Sequence, residues 1–250
     1  PRFAYYTLLC SNLQKTLRGS TQPFISYDIL NNIKVYFPEL NTQQVIGEFL
    51  SRLDNKIEIN HKINAELESM AKLIYEYWFV QFDFPDENGK PYKSSGGKMV
   101  FNEELKREIP EHWNVKALHN FASTGSGGTP LKSKKEYYEN GKIVWINSGE
   151  VNQPFIIRGS KYINEMGLKN SSAKVFERGT ILMAMYGATA GKVSLMDLKA
   201  ATNQAICGIN PINSYYTYFT KFALQDLYEH LVTLSSGSAR DNLSQEKIRN

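Results

Sequence analysis

The densest run of residues able to do chemistry is Ser126-Gly127-Gly128-Thr129-Pro130, followed by Lys132, Lys134, Lys135, Tyr137 and Tyr138. Glycines let a polyanion approach main-chain amides, lysines neutralise phosphates, and tyrosines stack or hydrogen-bond. The segment reads equally as an ordinary Gly-Gly turn. A second glycine cluster, Tyr186-Gly187-Ala188-Thr189-Ala190-Gly191-Lys192, is open to the same two readings, a β-turn or a groove contact. Arg158, Lys161 and Arg240, cations close to loop signals, complete the candidate phosphate contacts.

Motifs of catalysis are missing from the sequence. There is no Gly-x-x-x-x-Gly-Lys-Ser/Thr phosphate loop, no Gly-x-Ser-x-Gly elbow and no His-Glu-x-x-His. Also missing are the Asp/Asn-Pro-Pro-Tyr/Phe motif and the Phe-x-Gly-x-Gly turn of methyltransferases acting on exocyclic amines; Asn210-Pro211-Ile212-Asn213 is only superficially similar. His61, His112, His119 and His230 lack metal-ligand spacing and read as structural, so no metal is expected. Cys10 and Cys207 form no Cys-x-x-Cys pair and are expected to be buried thiols.

Charge is distributed unevenly. Residues 1 to 112 carry 13 Lys and Arg against 15 Asp and Glu, a net of −2, whereas residues 113 to 250 carry 16 against 10, a net of +6. A polyanion partner for the second part is one reading, and a solvated surface with chance asymmetry is the other. No run reaches the roughly 18 apolar residues of a membrane helix, and the N-terminus lacks the order of a signal peptide. A cytoplasmic protein with no membrane partner is expected.

These residues must be positioned by larger elements, of which the clearest is a helix predicted from Asn41 to Phe82. Pro38 blocks helix before it, Asn41 or Thr42 can cap it, and only Gly47 interrupts the next forty or so residues. Its apolar positions repeat near every 3.5 residues: Ile46, Leu53, Asn60, Leu67 and Ile74 in one row, and Leu50, Ile57, Asn64, Ala71 and Trp78 in the next. That is a coiled-coil seam. Asn60 and Asn64 either mark its register or face solvent. Ile46, Leu50, Leu53, Ile57, Asn60, Asn64, Leu67, Ile74 and Trp78 are therefore the helix-pairing candidates, with self-association through the helix as one outcome.

Beyond the aromatic run from Tyr75 to Phe84, the Asp-, Gly-, Ser- and Lys-rich residues 86 to 97 read as a surface connector, with a helical turn expected from Glu103 to Glu108. Short strands are expected at Ile143 to Ile146, Lys174 to Phe176, Ile181 to Met185, Lys192 to Leu195 and Ala205 to Ile209, and a helix at Tyr216 to Thr233. The fold class is α+β: a long coiled-coil-forming helix followed by a mixed α/β domain. An internal echo links the two ends, since residues 19 to 30 align without gaps on residues 237 to 248. Taken as a repeat, it makes the N-terminal residues the tail of an earlier copy of the second domain.

Taken together, the residues around Pro38 to Gln44, Leu73 to Pro85, Asn88 to Gly97 and Ile109-Pro110-Glu111-His112-Trp113 resemble the specificity subunit of type I restriction-modification systems. Gly127-Gly128-Thr129-Pro130, Val144-Trp145-Ile146, Gly179-Thr180-Ile181-Leu182, Gly187 to Lys192, Asn203-Gln204-Ala205, and Gly237-Ser238 with Leu243-Ser244 look like the framework of that family's target recognition domains. The resemblance divides the chain into a recognition-domain tail (1–38), a spacer helix (39–84), a connector (85–112) and a target recognition domain (113–250).

The resemblance implies a non-catalytic subunit that binds double-stranded DNA at a split site and directs methyltransferase and restriction/translocase subunits. It implies a duplicated architecture with two antiparallel helices as a ruler, of which this sequence holds one. It implies no cofactor in this chain, with S-adenosylmethionine, ATP and Mg on the partner subunits. Two other readings stay open on the residues alone. A methyltransferase carrying its own recognition domain is disfavoured by the missing motifs, and a coiled-coil adapter for proteins would lack salt-dependent duplex binding.

Overall fold

The computed structural model describes residues 2–11, 24–228 and 243–249, which fall into two compact units, residues 1–73 and 74–250. In the first unit, α1 (Arg2–Cys10) and α2 (Tyr27–Asn31) precede α3 (Leu40–Tyr75), a helix of 36 residues or about 54 Å at 1.5 Å per residue. Gly47 serves packing rather than interruption. A Cβ there would lie 3.0 Å from the backbone nitrogen of Phe3 and 3.3 Å from the Cβ of Arg2, so glycine lets α1 lie against α3. Tyr6 adds a hydrogen bond from its hydroxyl to Asp54 at 2.5 Å. Cys10 is exposed, which corrects the expectation of two buried thiols, whereas Cys207 is buried and its thiol is pushed up to about 12 by burial.

The long helix differs from the expected Asn41 to Phe82 element at both ends. It begins at Leu40, and its last turns change character after Tyr75, where Glu76–Val80 form a π-helical turn. The chain then reverses at Phe82, whose φ of 66° is left-handed. The surroundings fix this strained residue: its ring is buried, edge-on to Trp113 at 5.3 Å, with the Arg107 guanidinium 4.7 Å above it. Arg107 also donates to the carbonyl of Val80 at 2.7 Å, which caps the end of the turn.

The connector is well structured. Asp83 accepts hydrogen bonds from the amide and hydroxyl of Ser94 at 2.7 and 2.6 Å, which hold its carboxyl below the usual carboxylate range. Phe84 is stacked between Tyr92 and Trp113. In place of the expected helical turn at Glu103 to Glu108 stands an antiparallel hairpin, β1 (Met99–Asn102) and β2 (Arg107–Pro110). The side chain of Asn102 accepts from the amide of Leu105, and Lys106 takes a positive φ, so local turn chemistry overrides helix propensity.

The remaining strands are β3 (Ala122–Ser126), β4 (Ile143–Ile146), β5 (Phe155–Ile156), β6 (Tyr162–Ile163), β7 (Val175–Phe176), β8 (Ile181–Ala184), β9 (Val193–Met196), β10 (Ala200–Thr202) and β11 (Ile206–Pro211). They build a five-stranded sheet in the order β3-β11-β8-β9-β5 and a four-stranded sheet in the order β6-β4-β10-β7. Helix α4 (Glu165–Lys169) follows β6. The predicted helix from Tyr216 is α5 (Thr217–Asp226), entered through a short 3₁₀ turn; its expected continuation to Thr233 runs beyond the described residues. The last helix is α6 (Gln245–Arg249).

Alternation along the central strands divides the core. Ile181, Met183, Cys207 and Ile209 face a cluster that includes Leu224 of α5 and Leu243 and Ile248 at the C-terminal end. Leu182, Ala184 and Ile206 face the second sheet through Ile146, Phe176 and Ala200. The far side of that sheet buries Trp145, Ile163, Ala173 and Ala201 beneath Tyr138 and Leu168. The domain is thus layered as helices, five-stranded sheet, four-stranded sheet and an outer loop layer. Among the described residues no helix is long and apolar enough to cross a membrane.

Candidate nucleic-acid interface

Strand direction brings the candidate loops together. β11 is antiparallel to both β3 and β8, with Cys207 opposite Ser126 and Ile206 opposite Ala184. β10 is parallel to β4, with Thr202 beside Ile146, and the short turn at 203–205 joins β10 to β11. The C-terminal ends of β3, β4, β8 and β10 therefore meet at one end of the domain. From that end project the segments starting at Gly127, Asn147, Met185 and Asn203.

Side-chain contacts lock these segments to one another. Thr189 donates to the carbonyl of Ser148 at 2.9 Å, joining the β8–β9 turn to the 148–150 turn. The carboxylate of Glu150 accepts from the amides of Asn147 and Ser160, each at 2.9 Å, which draws in the loop carrying Arg158 and Lys161. The hydroxyl of Thr129 donates to the side-chain carbonyl of Gln204. The amide of Asn203 donates to the carbonyl of Ile146 at 3.0 Å.

The Gly-Gly turn is part of this framework. Gly127 and Gly128 are buried. A Cβ on Gly127 would lie 2.0 Å from the carbonyl oxygen of Thr202, and one on Gly128 would lie 2.2 Å from Oγ of Ser172. The amide of Gly128 donates to Thr202 O at 2.9 Å, and its carbonyl accepts from the indole of Trp145 at 3.0 Å. Close packing thus accounts for both glycines, and that Gly128 amide is already engaged. Tyr138 lies partly buried, edge-on to Trp145, with its hydroxyl donating to the carbonyl of Pro130; burial pushes its phenol up. Tyr137 is half-buried against Gly167, and Tyr186 is half-buried against the first core cluster, where burial raises its phenol too.

Lys132, Lys134, Lys135, Arg158 and Lys161 are all exposed, and Lys134 has Glu136 3.6 Å away. Thr129 is half-buried with its hydroxyl engaged at the rim. Arg240 lies outside the described residues. Sequence reading placed Lys192 within the second glycine cluster and Gln204 within a framework motif but singled out neither as a contact residue; both are exposed at the same end. Only the strand pairing reveals that they neighbour the Gly-Gly loop, since they are 60 or more residues away from it in the chain.

The helix-pairing candidates lie on the long helix and its extension. Ile46, Leu53, Ile57, Leu67, Ile74 and Trp78 are exposed, from 37% for Ile46 to 58% for Leu67; Leu50 is half-buried, and Asn60 and Asn64 are exposed. Glu58 and Lys62 form an i,i+4 ion pair at 2.6 Å. Among the described residues no group of three His, Cys, Asp or Glu is arranged to hold a metal ion.

Comparison with known proteins places this arrangement. The sequence profile described as "Type I restriction modification DNA specificity domain" matches residues 1–69 and 110–250. The chain is 27% identical over 256 residues to the type I restriction enzyme MjaIX specificity subunit of Methanocaldococcus jannaschii, covering 99% of this chain and 57% of that one. It is 26% identical over 271 residues to the HindI specificity subunit of Haemophilus influenzae, covering 88% and 58%. It thus spans a little under three fifths of the length of these relatives. In fold it is similar to the crystal structure of a type I restriction-modification S subunit from M. genitalium, with a TM-score of 0.55 and 19% identity over 100% of this chain and 59% of that one. With the profile matching most of its length, on a long helix and on a domain whose loops gather at one end, the chain belongs to the type I restriction-modification DNA specificity domain family.

Proposed function

We propose that residues 113–250 read one part of a split duplex target through the loop end of the two sheets, and that the long helix sets the distance to a second reading domain. The gathering of four loop segments at one end, with exposed Lys132, Lys134 and Lys135 on the segment that leaves Gly127, Arg158 and Lys161 on the loop held by Glu150, and Lys192 beside the β8–β9 turn, carries this reading. Duplex DNA presents closely spaced phosphates, and exposed cations on a rigid rim neutralise them without reading sequence. Base edges are then met by side chains the loops hold forward, the exposed Gln204, whose carbonyl is held by Thr129, among them. Buried Gly127, Gly128 and Tyr138 keep that rim in place, and Arg240 remains a candidate contact on sequence grounds.

In this reading the chain performs no catalysis and holds no cofactor. It delivers methyltransferase and restriction subunits, with their S-adenosylmethionine, ATP and Mg, to the site. The stripe from Ile46 to Trp78 is the pairing surface for a second helix, and in this chain taken alone a second copy is its simplest partner. Duplex binding measured against salt concentration tests the DNA face. Single alanine substitutions at Lys132, Lys134, Lys135, Arg158 and Lys161 should each lower the slope by about one counterion where a phosphate contact is lost. Unchanged affinity and slope in all five variants would refute the assignment of this face.

A further inference from the structure

The C-terminal segment reaches the bases of the gathered loops from outside the two sheets. β3 is an edge strand, paired with β11 alone, and its last residue, Ser126, directly precedes the Gly-Gly turn. Thr124 and Ser126 alternate with Gly125 and so present their hydroxyls on the same face of that strand. Gln245 of α6 bridges them with the two halves of one amide. Its nitrogen donates to Thr124 Oγ1 at 2.9 Å, and its oxygen accepts from the Ser126 hydroxyl at 3.1 Å.

The same segment holds a second loop through its main chain. Met185, which joins β8 to the glycine cluster at 186–192, accepts at its carbonyl from the amide of Leu243 at 2.7 Å. Its own amide donates to the carbonyl of Ala205 at 2.8 Å, in the turn that carries Gln204. Residues 243–245 thus tie together the roots of the segments that start at Gly127, Met185 and Asn203. The segment is anchored independently of these bonds, because Leu243 and Ile248 are 1% and 5% exposed in the cluster with Met185 and Leu224. Burial of those two side chains seats it, and the half-buried Gln245 amide is left to act on β3.

We propose that residues 243–245 form a clasp that pre-sets the loop end for duplex DNA, with Gln245 the positioning residue for the Gly-Gly segment and the lysines that follow it. The inference rests on the reading of the loop end as the DNA face. A strand paired on one side frays from its last residue, and fraying at Ser126 passes directly into Gly127 and Gly128 and displaces Lys132, Lys134 and Lys135. Such displacement has to be reversed when the loops meet DNA, so the clasp raises affinity by removing that ordering cost. Gln245 touches no phosphate in this scheme. Its loss lowers affinity without changing the number of counterions released, whereas loss of a contacting lysine changes both.

Duplex binding by the full chain, titrated against salt, tests it together with amide hydrogen exchange at Gly128. Gln245→Met keeps the length of the side chain and removes both hydrogen bonds; Thr124→Val removes one of them, and Thr124→Ser retains it. Gln245→Met should bind duplex about tenfold more weakly, with the parental salt slope and faster exchange at Gly128. Thr124→Val should weaken binding by about threefold, and Thr124→Ser should restore it. Thr124→Val added to Gln245→Met should weaken binding no further, since the bond between the two residues is already gone. Urea titration establishes which variants are folded under the binding conditions; if Gln245→Met is not, the Thr124 pair decides. A folded Gln245→Met with parental affinity would overturn the proposal, as would a salt slope lower by about one counterion, which would make Gln245 itself a phosphate contact. So would equal losses of affinity in Thr124→Ser and Thr124→Val. A parent chain whose duplex binding does not respond to salt would overturn the DNA reading, and this proposal with it.

Discussion

Replacing Gly128 with alanine separates the two uses of the Gly-Gly turn, framework and DNA contact. The added Cβ would lie 2.2 Å from Oγ of Ser172, 2.4 Å from its carbonyl carbon and 2.5 Å from the nitrogen of Ala173. Oγ can rotate away, but the two backbone atoms cannot, so the turn must move by about 1 Å to reach ordinary contact. Overpacking of this kind costs about 1–3 kcal/mol. The same movement strains the hydrogen bonds from Gly128 N to Thr202 O and from the Trp145 indole to Gly128 O, each worth about 1 kcal/mol. Gly128→Ala should therefore destabilise the domain by about 3–5 kcal/mol, roughly two to three and a half orders of magnitude in the unfolding constant. Gly125→Ala is the control from the same segment. Its Cβ would meet only the Phe176 ring at 3.7 Å, an ordinary contact, and the change in stability should stay within about 1 kcal/mol. Urea titration followed by far-ultraviolet circular dichroism reads both. If Gly128→Ala unfolds within about 0.5 kcal/mol of the parent yet loses DNA binding, the glycine is a ligand contact and the packing argument fails.

Three more outcomes follow from the structure. Because Ser94 holds the Asp83 carboxyl below its ordinary range, the contribution of Asp83 is fully present above the unfolded-chain value near pH 4 and is lost as pH falls through the lower folded value; Asp83→Asn should flatten unfolding curves across that acid window, and an unchanged pH profile would deny the contact its role. Ellman's reagent at about pH 8 should label one thiol, Cys10, in the folded chain and reach Cys207 only after denaturation, so fast modification of both would contradict the burial of Cys207. Duplicating the heptad Ile57 to Ile63 within α3 keeps the seam in phase and adds about 10 Å, or about three base pairs, so methylome sequencing should show a spacer lengthened by that amount with both half-sites unchanged, and an unaltered spacer would remove the ruler role.

Local sequence was enough for the features that rest on local physics. The 3.5-residue seam with Pro38 ahead of it announced a helix that runs from Leu40 to Tyr75, because the apolar period and a blocked start are read within a few turns. The β-branched and apolar runs at 143–146 and 181–184 gave their strands for the same reason. Strands such as Ala122–Ser126 and Ala200–Thr202 carry no such signal. A polar Ala-Ser-Thr-Gly-Ser segment and an Ala-Ala-Thr segment become strands because β11 and β4 supply their hydrogen-bond partners from far along the chain. The hairpin at Met99–Pro110 and the left-handed Phe82 were likewise set by a side-chain turn and an aromatic cage that no window of sequence displays. The candidate interface divides in the same way. The residue types of the Gly-Gly loop and its lysines were legible, but that both glycines pack as framework was decided by the Thr202 and Ser172 backbones pressed against the turn. The gathering of Thr129, Ser148, Thr189 and Gln204 at one end is a property of strand direction and pairing, which tertiary hydrogen bonding settles between residues up to 75 positions apart.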